Sequence, residues 1–480
     1  MLPLIIILLY FGLLFVVSFF TSKKANNESF FIGNRKSPWL AVAIGMLGAS
    51  VSGVSFISVP GWVQTTQMTY MQMVFGFVIG YFFIAFILLP IYYKLKIPSI
   101  YSYLNDRFGT FSYKTATVFF IISRFSISAL RLFIVAKILQ IVVFEHFKIP
   151  FVVTTIFILL IIWLYTFKAG IKTIVWTDVL QTFFMVATII MTIIIICNKL
   201  NFGFFDAVEA IYNNSMSKMF EFNDWTSKQH FVKQFISGAF ITIVMTGLDQ
   251  DNMQKNLSCR TLKEAKKNVL TYGFFFIPAN LLFLSLGVLL MIFVQKNAID
   301  PNLIKGDDLY PYLAQNVLGS TCLILFVIGL IAAAFSSADS AITALTTSLL
   351  FDIIGIKNNN EKKIMKKRLF SQLGISICII IFVLIFYYFN NKNIINTIYV
   401  VSSYTYGPLL GLFFYGLFTK WNLNDKFVPI IAIASPVFCY IIEFLLKKYF
   451  NYYMGYELLL INGILTFIGL IFIRKKVINN

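Results

Sequence analysis

Ionisable and hydroxyl side chains that could bind an ion or a polar solute fall in a few tight groups along this sequence. The densest is Ala332-Ala333-Ala334-Phe335-Ser336-Ser337-Ala338-Asp339-Ser340. At about 100° per residue, Ala333, Ser336, Ser337, Asp339 and Ser340 lie within roughly 160° of one another on a helix. One flank therefore offers hydroxyls and a carboxylate together. Sodium is a hard cation that takes oxygen ligands, and one carboxylate with hydroxyls and carbonyls makes a low-charge shell for it. The alternative is that Asp339 pairs with Lys137 or Arg124 while the serines bond back to their own helix.

A second group is Gly48-Ala49-Ser50-Val51-Ser52-Gly53-Val54-Ser55, followed by Pro60-Gly61. Its glycines and serines lower the preference for continuous helix. Ser50 and Ser52 would face nearly opposite ways on an intact helix, so they can address one ligand only if the helix is interrupted there. Broken helices at membrane depth are tolerated where their carbonyls line a site; the competing reading is a small-residue packing face. Asp178 lies near the start of its apolar run, where a carboxylate also favours a helix amino terminus. Arg131 is deeper, flanked by apolar residues, and cannot shed its proton. It needs a partner, either a substrate carboxylate or, structurally, Asp178, Asp339 or a backbone carbonyl.

Other chemistry finds little support. The sequence has no HExxH, no nucleophile elbow and no Ser/His/Asp set. Cys197, Cys259, Cys322, Cys378 and Cys439 are scattered without CxxC spacing, so they read as small apolar residues with no disulfide frame or metal site. His146 and His230 fall in predicted outer loops and read as solvated.

These groups sit in a chain that is 59% hydrophobic and 12% charged, a composition that excludes a soluble domain. Its apolar runs are about twenty residues long, which selects helices over barrel strands. Spans are predicted near 2–22, 38–63, 70–95, 113–143, 148–167, 174–197, 232–254, 268–295, 320–351, 369–389, 393–418, 427–446 and 455–473, about thirteen in all. With the amino terminus outside, most of the 39 Lys and Arg residues fall in cytoplasmic connectors, Lys255 among them, and the carboxyl terminus lies inside. Residues 2–20 lack a positive leader region and a cleavage signal, so they read as a retained helix whose inner end is held by Lys23 and Lys24. The connectors 198–229 and 352–368 are the longest polar stretches, and no sensor or nucleotide-binding module is expected in either.

The chain resembles the sodium/solute symporter family, whose members carry proline, galactose, iodide, vitamins or sialic acid. The resemblance runs from Ser29-Phe30-Phe31-Ile32-Gly33-Asn34-Arg35 to about residue 418. Its most specific parts are Gly170 to Gln181, Gly247-Leu248-Asp249-Gln250-Asp251-Asn252-Met253-Gln254 leading to Lys263-Glu264-Ala265, and Phe335 to Asp352. It implies an all-α polytopic membrane protein with a ten-helix inverted-repeat core of the leucine-transporter type. The repeats would be 38–197 and 232–418, with 2–22 as a leading helix and 427–473 as two added helices.

The resemblance also implies roles. A general sodium site would use the Gly48, Val51 and Ala333 carbonyls with the Ser336 and Ser337 hydroxyls. A second sodium site, found in sialic-acid members, maps to Asp178, Ser336, Asp339 and Ser340, with Asp339 standing where those members have serine; the added carboxylate would either tighten sodium there or leave the place to a proton or to a lysine from within the bundle. Substrate residues would be Ser50, Ser52, Ser55, Gln72 and Arg131. The expectation is a sodium-coupled symporter, not an enzyme, that imports a small polar solute such as a hydroxylated organic acid by alternating access. Sodium would be the coupling ion, with no other cofactor or metal and no nucleic acid, in a monomer of the cell inner membrane. The rivals are a transporter-fold sensor or scaffold without transport, or a neutral sugar, amino acid or inorganic anion as substrate.

Overall fold

In hydrocarbon each apolar run must close its backbone hydrogen bonds within itself, and these runs do so as helices. The computed structural model describes residues 2–23, 25–95, 99–300, 304, 306–356, 361–389 and 394–475. Lys24, residues 357–360 of the connector 352–368 and residue 393 lie outside the described residues. The helices are α1 (Leu2–Thr21), α2 (Trp39–Ser50), α3 (Gly53–Thr66), α4 (Tyr70–Leu95), α5 (Thr110–Phe147), α6 (Phe151–Thr166), α7 (Ile171–Leu200), α8 (Phe231–Gly247) and α9 (Gln250–Leu257). They continue with α10 (Leu262–Lys296), α11 (Ser320–Ile353), α12 (Glu361–Phe389), α13 (Ile394–Phe418), α14 (Val428–Phe450) and α15 (Leu458–Phe472). Two pairs, α2 with α3 and α8 with α9, are single spans bent by 59° and 66°. Each bent span opens one of the two successive five-span sets.

In its helices and connectors the structure departs from the sequence reading in three places. The span predicted as an unbroken helix over 232–254 breaks at Leu248, and Asp249 caps the new helix by accepting from the backbone N–H groups of Asp251 and Asn252. A capping aspartate offers the backbone an alternative to continuous helix, and that outweighs the apolar run before it. Lys255, counted as a cytoplasmic connector residue, lies on α9 and is 1% exposed. His230 is not a solvated loop residue; it is buried, and its Nδ1 accepts from the Val232 N–H at the start of α8.

Two close approaches between helices position the site. Gly45 and Gly48 let α2 press on α7: a Cβ at Gly48 would lie 2.1 Å from the Thr182 Oγ1, and one at Gly45 would lie 2.8 Å from the Asp178 Cβ. Gly76 and Gly80 bring α4 onto α8, where Gly238 answers them from the opposite helix. A Cβ at Gly76 would fall 2.1 Å from the backbone oxygen of Phe235, a contact that no rotamer change relieves.

Gly76→Ala is therefore expected to force α4 and α8 apart at a cost of about 1–3 kcal/mol. A Cβ at Gly12 would meet nothing within 4 Å, so Gly12→Ala should leave stability unchanged. Thermal unfolding of the purified protein in detergent compares the two, and equal midpoints would refute the tight crossing.

Candidate functional site

The two helix breaks expose backbone oxygens at membrane depth, and the structure treats them differently. At the first, Val51 (φ −79°, ψ 71°) and Ser52 (φ −64°, ψ 169°) leave the helical region. No backbone N–H among the described residues reaches the carbonyl oxygens of Gly48 or Val51. At the second, the Tyr92 hydroxyl donates to the Gly247 carbonyl at 3.1 Å and the Tyr101 hydroxyl to the Leu248 carbonyl at 2.9 Å. One break is closed by tyrosines and the other presents free carbonyls.

The hydroxyl-rich flank of α11 runs past the free break, and Ser336, Ser337, Asp339 and Ser340 are all buried. Ser336 Oγ donates to Asp178 Oδ1 at 2.7 Å, and Ser337 Oγ donates to the Ala334 carbonyl at 3.0 Å. Both hydroxyl protons are thus committed, which leaves their lone pairs available to a cation. Asp178 Oδ2 receives the Lys255 ammonium at 2.7 Å. Asp339 pairs with neither Lys137 nor Arg124; its Oδ2 accepts from the Tyr165 hydroxyl at 2.8 Å and its Oδ1 from the Ser340 N–H at 2.5 Å, although Ser337 and Ser340 do bond back to their own helix, Ser340 Oγ donating to the Ser336 carbonyl at 2.8 Å. Among the described residues no three His, Cys, Asp or Glu side chains form a metal cluster.

Beside the first break lies a cavity of about 100 Å³. Ser50, Ser52, Ser55 and Arg131 line it together with Trp62, Tyr70, Tyr81, Arg124, Asp251, Tyr272 and Tyr399. The interruption lets Ser50 and Ser52 share one space. Ser50 Oγ and the Tyr272 hydroxyl lie 2.5 Å apart, and the Tyr81 hydroxyl donates to that of Tyr272 at 2.6 Å. Arg124 forms an ion pair with Asp251 and approaches Asp249 at 3.6 Å. Arg131 is half-buried and forms no ion pair among the described residues.

Gln72 is not brought to the cavity. Its amide ties the outer connector instead, donating to the carbonyls of Thr69 and Gln229 and accepting from the Glu221 N–H. Sequence reasoning missed the tyrosine wall, the Thr182 hydroxyl against Gly48, and the Arg124–Asp251 and Lys255–Asp178 pairs. A signal for the pairs was present. Asp249, Asp251 and Lys255 interrupt an apolar span with charge, and charges there are retained where they pair or line a cavity.

With the geometry established, comparison with known proteins is informative. The sodium:solute symporter family model matches residues 30–426. The sodium/sialic acid symporter SiaT of Proteus mirabilis is 23% identical over 89% of this chain and 86% of its own. The human sodium/iodide cotransporter is 25% identical over 82% of this chain and 61% of its own. The zebrafish (Danio rerio) sodium-coupled monocarboxylate transporter 2 is 26% identical over 89% and 70%. Among solved structures, a Na+-coupled sialic acid symporter in a substrate-bound outward-open state superposes with a TM-score of 0.85 at 20% identity, covering 99% of both chains. Mhp1, a nucleobase-cation-symport-1 family transporter, gives 0.57 at 14% identity over 93% of both. These likenesses establish the fold as the ten-helix inverted-repeat type.

The pairing pattern separates the two arginines of the cavity. Arg124→Gln strips Asp251 and Asp249 of their buried counter-charge and is expected to cost about 3–5 kcal/mol of stability. Arg131→Gln breaks no pair and should leave the unfolding midpoint within a few degrees of the parent. A destabilisation by Arg131→Gln as large as that by Arg124→Gln would show that Arg131 has an acidic partner in the protein.

Proposed function

Because this chain belongs to the sodium:solute symporter family, we propose that its cargo is a small hydroxylated organic acid, held by Arg131 and the serines of the broken helix. The protein is a multi-pass membrane protein and a sodium-coupled secondary transporter, not an enzyme. The observation that carries the substrate reading is the unpaired guanidinium. Arg124 and Lys255 each have a carboxylate, whereas Arg131 faces the cavity with no carboxylate paired to it among the described residues. A half-buried charge left open to a cavity is stabilised when an anion enters, and a planar fork suits a carboxylate. Ser52 and Ser55 and the tyrosine hydroxyls of the wall supply partners for substrate hydroxyls. Relatives are named for sialic acid, monocarboxylates and iodide, all of them anions.

Sodium would sit between the first break and α11, on the carbonyls of Gly48, Val51 and Ala333 and the hydroxyls of Ser336 and Ser337. Asp178, Asp339 and Ser340 adjoin this place and would govern any second cation. Each sodium crossing a 100 mV potential contributes about 2.3 kcal/mol, roughly 50-fold of accumulation before its own gradient is counted. In the bilayer the chain would act as a monomer of the cell inner membrane. The excess of basic residues in one set of connectors favours an amino terminus outside and a carboxyl terminus inside.

Uptake of a radiolabelled sugar acid into proteoliposomes tests the assignment. A charge-assisted contact is worth about 1.5–3 kcal/mol, so Arg131→Ala should lower uptake on the order of 10–100-fold at unchanged protein yield. Arg131→Lys should fall between, because it keeps the charge and loses the fork. Transport of a neutral solute with full affinity in Arg131→Ala would end the acid reading. Ser336→Ala and Ser337→Ala should each raise the sodium concentration needed for half-maximal uptake, and unchanged sodium dependence in both would remove them from the ion site.

A further inference from the structure

The cradle beside the first break holds two carboxyl groups and one ammonium, with no other ion-pair partner among the described residues. Asp178, Asp339 and Lys255 are all essentially buried. Lys255 Nζ contacts Asp178 Oδ2 at 2.7 Å, while Asp178 Oδ1 is taken by the Ser336 hydroxyl. Asp339 receives only neutral donors, the Tyr165 hydroxyl and the Ser340 N–H and hydroxyl. In their ionised forms the three groups sum to one negative charge, which one monovalent cation balances. A second sodium would need Asp178 as a ligand, but the oxygen that Ser336 leaves open already carries an ammonium.

We infer that Lys255 is a tethered cation that fills the second cation position and limits the transporter to one sodium per cycle. This rests on the sodium position proposed above. It differs from the expectation of two sodium ions, because the lysine supplies from within the protein the charge that the second ion would bring. Lysine suits the role as a compact point charge on a long stem, able to reach Asp178 on α7 from its own helix, α9. The exchange is also favourable in a low-dielectric interior. Two buried carboxylates repel each other, and a tethered counter-charge is present in every state of the cycle without loss of ion-binding entropy.

Equilibrium binding of sodium-22 to the purified full-length protein counts the ions directly and does not depend on the substrate. The wild type should bind one sodium per protein with a hyperbolic isotherm. Lys255→Met should bind two, with a Hill coefficient rising from about 1 toward 2. Lys255→Arg keeps the tethered charge and should stay at one. Lys255→Met combined with Asp178→Asn restores the net charge of the cradle and should return to one, an outcome that a merely structural lysine does not predict. A wild type that binds two sodium ions overturns the inference, and that measurement stands even if Lys255→Met fails to fold. A folded Lys255→Met that still binds one overturns it equally. A wild type that binds no sodium refutes the sodium position itself, which is a different failure.

Discussion

The structure turns on a rule about backbone: a carbonyl oxygen inside the membrane must have a partner. Both five-span sets begin with a helix that breaks that rule, at Val51 and at Leu248. The second break is repaired from within, by Tyr92 and Tyr101. The first is not, and its Gly48 and Val51 carbonyls remain open. An oxygen-lined gap of this kind is satisfied by a hard cation, whose binding also holds the two half-helices at a fixed angle. The glycines that bring α2 against α7 set the break close to its neighbours, and on the proposed reading the serines of α11 would complete that oxygen shell.

Charge is distributed by the same logic. Each buried carboxylate of the central region is answered locally: Asp251 and Asp249 by Arg124, Asp249 also by the Tyr406 hydroxyl, Asp178 by Lys255, and Asp339 by hydroxyl and amide donors. Such pairs contribute little net stability, since desolvation offsets most of the attraction, but losing one partner is costly. They hold the cavity wall in place without consuming Arg131. The arrangement separates charges that shape the cavity from Arg131, which has no ion-pair partner among the described residues and, on the proposed reading, would be left for a ligand.

Much of this was legible in the sequence. The long apolar runs gave the helices because the bilayer sets the length of a span, whereas the glycine and serine content around Ser50 fitted a break and a packing face equally, and only the structure shows the break. The flank of Ser336 to Ser340 could be read from spacing. What could not be read were relations between distant segments. The break at Leu248 depends on Asp249 turning back to cap α9, and hydropathy counted the same stretch as continuous. Lys255 looked like an inner connector residue because its neighbours are polar, whereas its partner is on α7, 77 residues earlier. Gln72 carried the right chemistry for a substrate contact, but the outer connector claims its amide. Local periodicity has no access to that competition.

Coupling between ion and solute follows from how the first break divides its residues. Gly48 and Val51 would turn their carbonyls to sodium, while Ser50 and Ser52, interleaved with them, line the solute cavity. Four consecutive peptide units would thus serve both ligands, and the φ/ψ values that suit one would be the values that suit the other. Fixing a residue costs about 1–2 kcal/mol of backbone entropy. The ligand that binds first meets that cost for the segment, so the second binds to a backbone already ordered. By linkage the benefit is reciprocal: solute tightens sodium by the same factor that sodium tightens solute. No long-range pathway through the bundle would be required, since the two proposed sites would share one interrupted turn of helix.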